Sequence, residues 1–214
     1  MKKSTQVFIT LLRHGLSTAN QLGIVQGQLD YPLHQEGIDQ ARRLGEFWHA
    51  QGRLYEKIVS SPLQRAVETA RLISSALSIP ILQEPLWKER GFGEAEGLPY
   101  ELFREKSDTH PAQVSHTDPV FPGGESEWDL LNRAARATQK IFQNGWKSCL
   151  VVSHGGILNA ALRSILGIRL IPGEPRQYGF SFDNTGFTDI TFDQNTSRWQ
   201  ILGHNARPHL EQGK

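Results

Sequence analysis

Apolar and polar positions fall into blocks whose period changes along the chain. Residues 6–13 (QVFITLLR) form a nearly unbroken apolar run closed by Gly15, the pattern of a strand buried on both faces. Residues 37–51 then place Ile38, Ala41, Leu44, Phe47 and Trp48 at helical spacing. Residues 57–60 (KIVS) read as a short strand running into Ser61-Pro62, a pair suited to cap and open a helix. Leu63, Ala66, Val67, Ala70, Ile73 and Leu77 continue that helix as a one-sided stripe. Residues 79–83 read as a further strand.

Between residues 84 and 124 the pattern loosens. Pro85, Pro99, Pro111, Pro119 and Pro122 predict an irregular, substrate-covering excursion with at most a short helix at about 100–106. Ser126-Glu127-Trp128-Asp129 has the form of a capping box and opens a helix to about Asn144. Residues 148–153 (SCLVVS) are the second strongly apolar strand, followed by His154-Gly155-Gly156 and an apolar helix to Leu166. Residues 187–192 and 199–202 read as two strands around Gln194-Asn195-Thr196. Trp48, Trp128 and Trp146 are expected to pack from helices, and Cys149 from a strand.

Strands alternating with helices predict an α/β three-layer sandwich. Its central sheet is mostly parallel, with helices on both faces and antiparallel pairing at the C-terminal end. The 214 residues fit one domain. In such sheets ligands gather beyond the carboxyl ends of the strands. Two segments there share a form: a strand then Arg13-His14-Gly15, and a strand then Ser153-His154-Gly155. Glycine after each histidine permits a sharp turn and a close ligand approach. Arg13 adds a planar, permanently charged fork suited to phosphate or carboxylate. Arg65, in the first turn of a helix after a strand, can join the same pocket.

Composition narrows the partners. Lys plus Arg number 23 against 22 Asp plus Glu, a net charge of +1, which removes the electrostatic case for nucleic acid or a membrane surface. One cysteine cannot form an internal bridge. The N-terminal apolar run is too short for export or a membrane span, so a cytoplasmic location is expected. His34, His49, His110, His116, His204 and His209 lack the close pairing of a zinc site, so no metal is expected. Residues 91–97 (GFGEAEG) fail as a dinucleotide loop, because the last spacing is wrong and two carboxylates would repel a pyrophosphate.

These segments together resemble the histidine phosphatase superfamily, in its phosphoglycerate mutase-like branch. The resemblance rests on Leu11-Leu12-Arg13-His14-Gly15-x-Ser17-x-x-Asn20, on Gln26-Gly27-Gln28-x-Asp30-x-Pro32-Leu33 with Gly37, and on residues 60–70. It continues through Leu86-x-x-Glu89-x-x-x-Gly93-x-x-Glu96-Gly97, Val151-Val152-Ser153-His154-Gly155-Gly156 and the closing His209-Leu210. It implies a small-molecule phosphatase in which His14 is the nucleophile and passes through a phosphohistidine. Arg13, Arg65 and His154 would be positive donors around the phosphate, and Glu89 would be the general acid and base. Asn20, Gln26 and Gly27 would be secondary substrate contacts. The implied substrate is a small phosphorylated metabolite such as phosphoserine or a sugar phosphate, taken by a monomer or homodimer without cofactor.

Three alternatives stay open. A cofactor-dependent phosphoglycerate mutase shares the chemistry, but the family's mutases carry a longer basic excursion, whereas residues 100–124 hold only Arg104 and Lys106. A serine hydrolase would use Ser17 in Gly15-Leu16-Ser17-Thr18-Ala19, with residues 154–156 as an oxyanion turn. A non-catalytic phospholigand-binding module would lack one of His14, Glu89 and His154.

Overall fold

A computed structural model describes residues 6–108, 116–171 and 179–211. The strands are β1 (Gln6–Arg13), β2 (Lys57–Ser60), β3 (Ile81–Gln83), β4 (Ser148–Ser153), β5 (Phe187–Asp193) and β6 (Arg198–Ala206). They form one sheet in the order β3-β2-β4-β1-β5-β6. The first four in that order are mutually parallel, and β5 and β6 are antiparallel additions. This is the expected α/β layering. β6 runs further than the alternation predicts, because its exposed edge position leaves little apolar signal in residues 203–206.

The period of two decides which side chain faces which layer. Val7, Ile9, Leu11, Cys149 and Val151 pack with α5 (Glu127–Gln143) and α6 (Gly155–Ile165) on one face. Leu12, Ile58, Leu150 and Val152 pack with α2 (Gln35–Ala50) and α3 (Gln64–Leu77) on the other. Two short helices, α1 (Thr18–Gln21) and α4 (Tyr100–Asp108), lie in the connections. The 84–124 excursion also holds two single-turn 3-10 helices, Pro85–Trp87 and Gly93–Ala95; Pro111 lies outside the described residues, as does His110. No helix among the described residues is long and apolar enough to cross a membrane.

Four local expectations are corrected. Leu63, not Ser61, is the N-cap of α3, and Pro62 precedes the helix. Ser61 is drawn away because its hydroxyl meets His154. β3 begins at Ile81, two residues later than the apolar run. Trp48 is fully buried, but Trp128 is 52% exposed on the outer side of the first turn of α5. Trp146 lies beyond the end of α5 and only edges the core.

Pairing fixes the functional edge. Arg13 stands opposite Ser153 in the β1–β4 register, so His14 and His154 emerge from neighbouring strands at one level. The His14 amide also donates to the Ser153 carbonyl, 2.9 Å. The turn after β1 is then pressed against the start of α2. A Cβ on Gly15 would lie 2.4 Å from the Gly37 carbonyl oxygen, and one on Gly37 would lie 2.1 Å from that of Leu16. Both obstacles are backbone, which cannot rotate aside.

Gly37→Ala should therefore lower stability by about 1–3 kcal/mol, the usual cost of overpacking. It should also reduce activity, because the backbone that must yield is the turn after His14. The urea midpoint and an activity assay read the two effects, and an unchanged midpoint would contradict the contact.

Candidate active site

Four parallel strands release their chains at the same edge, and each contributes one part of the site. β1 ends in Arg13 and leads to His14; β2 leads through Ser61 to Arg65 in the first turn of α3; β3 leads to Glu89; β4 leads to His154. The His14 and His154 rings are tilted with centroids 5.1 Å apart. Both rings are buried.

Their hydrogen bonds fix the neutral tautomers. His14 Nδ1 lies 2.7 Å from the Gly15 carbonyl, which can only accept, so Nδ1 carries the proton and Nε2 keeps its lone pair. Burial pushes the His14 pKa well below its usual 6.5, and the nearby Arg65 and Arg13 charges push it the same way. His14 is thus an uncharged imidazole with a bare nitrogen. His154 has the opposite tautomer. Its Nδ1 accepts from Arg65 Nε at 3.1 Å, so Nε2 bears the proton and donates to Ser61 Oγ at 2.8 Å. Burial, then Arg65, holds its pKa well below 6.5 as well. His154 therefore offers an uncharged Nε2–H donor here, where the resemblance implies a positive one.

The guanidinium groups of Arg13 and Arg65 are held by neutral oxygens. Arg65 Nη1 and Nη2 donate to the Leu29 and Gly27 carbonyls, both at 2.8 Å. Burial lowers the Arg65 pKa to about 10 even with Glu89 and Asp30 opposing the shift. Arg13 donates through Nη1 to the Phe182 carbonyl at 2.6 Å, while its buried Nε has no partner. Burial also lowers the Arg13 pKa, and the Glu89 charge counteracts it first. A buried N–H without a partner costs about 1–3 kcal/mol. An anion at this point would recover that cost.

Glu89 sits on the N-terminus of α6. Its carboxylate accepts from the Gly156 amide at 3.0 Å, the Ile157 amide at 3.1 Å and the Arg90 amide at 2.7 Å. A Cβ on Gly156 would lie 2.5 Å from Glu89 Oε1, whereas one on Gly155 would meet nothing closer than 3.9 Å. The second glycine of the Gly155-Gly156 pair is the one this approach requires.

The secondary residues form a rim. Gly27 binds Arg65 through its carbonyl, and a side chain there would strike Glu96. Ser17 caps α1, with its hydroxyl 2.9 Å from both Asn20 Oδ1 and Gln26 Oε1. Those acceptors, rather than a histidine base, surround Ser17, so the serine hydrolase reading fails. Asn20 joins the site through Asn184, which donates to Asn20 Oδ1 at 3.3 Å and to the His14 carbonyl at 3.1 Å.

Sequence reasoning passed over Ser61, Thr69, Asn184 and Arg133. Thr69 Oγ1 accepts from the Gly15 amide at 3.1 Å and donates to the Arg65 carbonyl, coupling the two strand ends. Ser61 stands directly after a buried strand in the row with His14 and His154, and that position was the available signal. Asn184 and Arg133 lie far along the chain with nothing local to mark them.

The sequence profile described as histidine phosphatase superfamily (branch 1) matches residues 9–207. The chain belongs to that family. It is 32% identical over 203 residues to the phosphatase PhoE of Bacillus subtilis, covering 94% of this chain and 96% of that one. The adenosylcobalamin/alpha-ribazole phosphatase of Escherichia coli is 29% identical over 200 residues, covering 92% of this chain and 95% of the relative. Among solved structures, Bacillus stearothermophilus YhfR superposes with a TM-score of 0.80 at 26% identity, covering 95% of this chain and 99% of its own.

Nitrogen-resolved side-chain NMR on labelled histidine should find His14 as the Nδ1–H tautomer and His154 as the Nε2–H tautomer. Both should stay neutral at about pH 6, where an ordinary histidine is mostly charged. Imidazolium signals from either ring at that pH would contradict the arrangement.

Proposed function

We propose that the protein is a phosphoric monoester hydrolase that cleaves a small phosphomonoester through a phosphohistidine on His14, without metal or cofactor. The observation that carries this reading is the bare Nε2 of a neutral His14 beside the guanidinium groups of Arg13 and Arg65. A phosphate monoester dianion repels nucleophiles, and an uncharged imidazole suffers least from that repulsion. Arg13 and Arg65 supply positive charge where water is excluded and charge counts most. The unpartnered Arg13 Nε is a donor left for a phosphate oxygen.

In the first step His14 Nε2 forms a bond to phosphorus while the ester P–O bond breaks. Protonated Glu89 gives its proton to the leaving oxygen. In the second step water attacks phosphorus, its proton returns to Glu89 and the P–N bond breaks. Inorganic phosphate and neutral His14 remain. Splitting one difficult displacement into two is the gain of covalent catalysis. A carboxylate has about four acceptor positions, and the three N–H groups on Glu89 leave room for the proton it exchanges.

Hydrolysis is favoured over mutase chemistry by an aromatic cluster in the 84–124 excursion. Phe103 stacks with Tyr100 and Phe121 and meets Phe92 edge-on, with centroid separations of 5.3–5.8 Å. Tyr100 is close enough to act electrostatically on Arg13. Rings of this kind offer no grip on the second charged group of a phosphoglycerate. The relatives named as phosphatases support the same choice.

The test is phosphate release from phosphoserine, a sugar phosphate and p-nitrophenyl phosphate in excess EDTA. Wild-type activity should survive the chelator, and His14→Ala should lose at least about a thousand-fold in kcat, as removal of a covalent nucleophile does. An acid-labile phosphoenzyme should be trapped from the wild type alone. Activity destroyed by EDTA, or retained in His14→Ala, would overturn the mechanism. Transfer of phosphate between glycerate hydroxyls in place of release would favour the mutase.

A further inference from the structure

The carboxylate of Glu89 stands on a stretch of chain that belongs to no strand or α-helix. His14 and His154 are fixed by the β1–β4 ladder, but residues 88–91 lie outside it, and their backbone bonds are only the Lys88 amide to the Pro85 carbonyl and the Glu125 amide to the Gly91 carbonyl. Three carbonyls at and before Glu89 are gathered by one side chain. Arg133, on α5, donates through Nη1 to the Leu86 carbonyl at 2.9 Å and the Lys88 carbonyl at 2.6 Å. Through Nη2 it donates to the Glu89 carbonyl at 3.2 Å. Its remaining donors grip Glu125, with Nε on Oε1 at 2.7 Å and Nη2 on Oε2 at 2.6 Å. A guanidinium has five N–H groups in one plane, and these five contacts use all of them.

Glu125 in turn fastens the far side of the same stretch. Its amide donates to the Gly91 carbonyl at 2.7 Å, and its carbonyl accepts from Arg90 Nε and Nη2 at 3.2 and 3.1 Å. Arg90 is also paired at 3.0 Å with Glu127, which binds buried Arg163. The Glu89 carbonyl receives one more donor, Gln28 Nε2 at 3.1 Å, from the opposite loop. Arg133 reaches the site electrostatically, since its charge helps hold His154 neutral.

We infer that Arg133, locked by Glu125, is the positioning residue for Glu89. It sets where the carboxyl proton meets the leaving oxygen without touching substrate itself. Lysine cannot replace it, because an ammonium presents three donors at a point and cannot bridge three carbonyls and a carboxylate in a plane. The inference rests on the role proposed for Glu89, and leaving-group dependence separates the two.

An activated ester such as p-nitrophenyl phosphate needs little protonation of its leaving oxygen, whereas glycerol phosphate needs it fully. Glu89→Gln should lower kcat on glycerol phosphate by about a hundred-fold or more, the range of general acid catalysis, and on the nitrophenyl ester far less. Arg133→Lys should show the same selective loss, smaller in size, with KM for both esters little changed. Glu125→Gln should follow it, and Gln28→Ala should move the same way by a few-fold. Gln28 is exposed, so that last variant retains the fold. Thermal melting identifies any variant that fails to fold, and the other two then decide. If Glu89→Gln lowers both substrates equally, the acid role of Glu89 falls and the inference with it. If Glu89→Gln is selective while the folded Arg133, Glu125 and Gln28 variants are not, the positioning role alone is overturned.

Discussion

Two guanidinium groups, the half-buried Arg13 and the buried Arg65, set the conditions for everything at the carboxyl edge of the sheet. Among the described residues neither forms a salt bridge; carbonyl oxygens of Phe182, Gly27 and Leu29 hold them instead. Carbonyl dipoles satisfy N–H donors without cancelling the charge. The pocket therefore keeps a positive potential that a paired arginine would lose, and burial keeps it from being screened. A whole-chain charge of +1 conceals this, because the potential is local.

The two imidazoles follow from that field. Burial first, and the two nearby cations after it, disfavour a charged ring, so both are neutral, and their hydrogen bonds then choose opposite tautomers. The carbonyl of Gly15 leaves His14 with its outward nitrogen free, while Arg65 and Ser61 occupy both nitrogens of His154. Identical side chains at equivalent strand ends thus have different chemistry. The tautomer of His154 is not legible in Ser153-His154-Gly155, because the groups that set it, Ser61 and Arg65, come from just after β2 and from α3.

Much of the fold was legible for a related reason. β1, β2 and β4 are buried on both faces, so their apolar runs have clear ends, and those ends are where the candidate site residues sit. Helices α2, α3 and α5 carry one-sided stripes that mark them equally well. What stayed hidden depends on partners distant in the chain. Ser61 looked like a helix cap because local pattern cannot register His154, ninety-odd residues away. Trp128 looked like a core residue because helical period does not say which arc of the first turn meets the sheet. Arg133 lies on the polar arc of α5, where an arginine ordinarily reaches solvent.

The site therefore has two kinds of rigidity. The side that carries His14 is built on paired strands, whose hydrogen bonds are indifferent to side-chain identity, and so its geometry is fixed by the sheet itself. The side that carries Glu89 is built on irregular chain, and side chains of Arg133, Glu125, Arg90 and Glu127 do there what a ladder does elsewhere. Irregular backbone held this way can change length or shape while the sheet stays intact, provided the clamp is kept. The strand ends that carry His14 and His154 are then the constant part of the fold. The stretch that carries Glu89 is the adjustable part, and on the proposed mechanism it is held from α5 rather than from the strand ends.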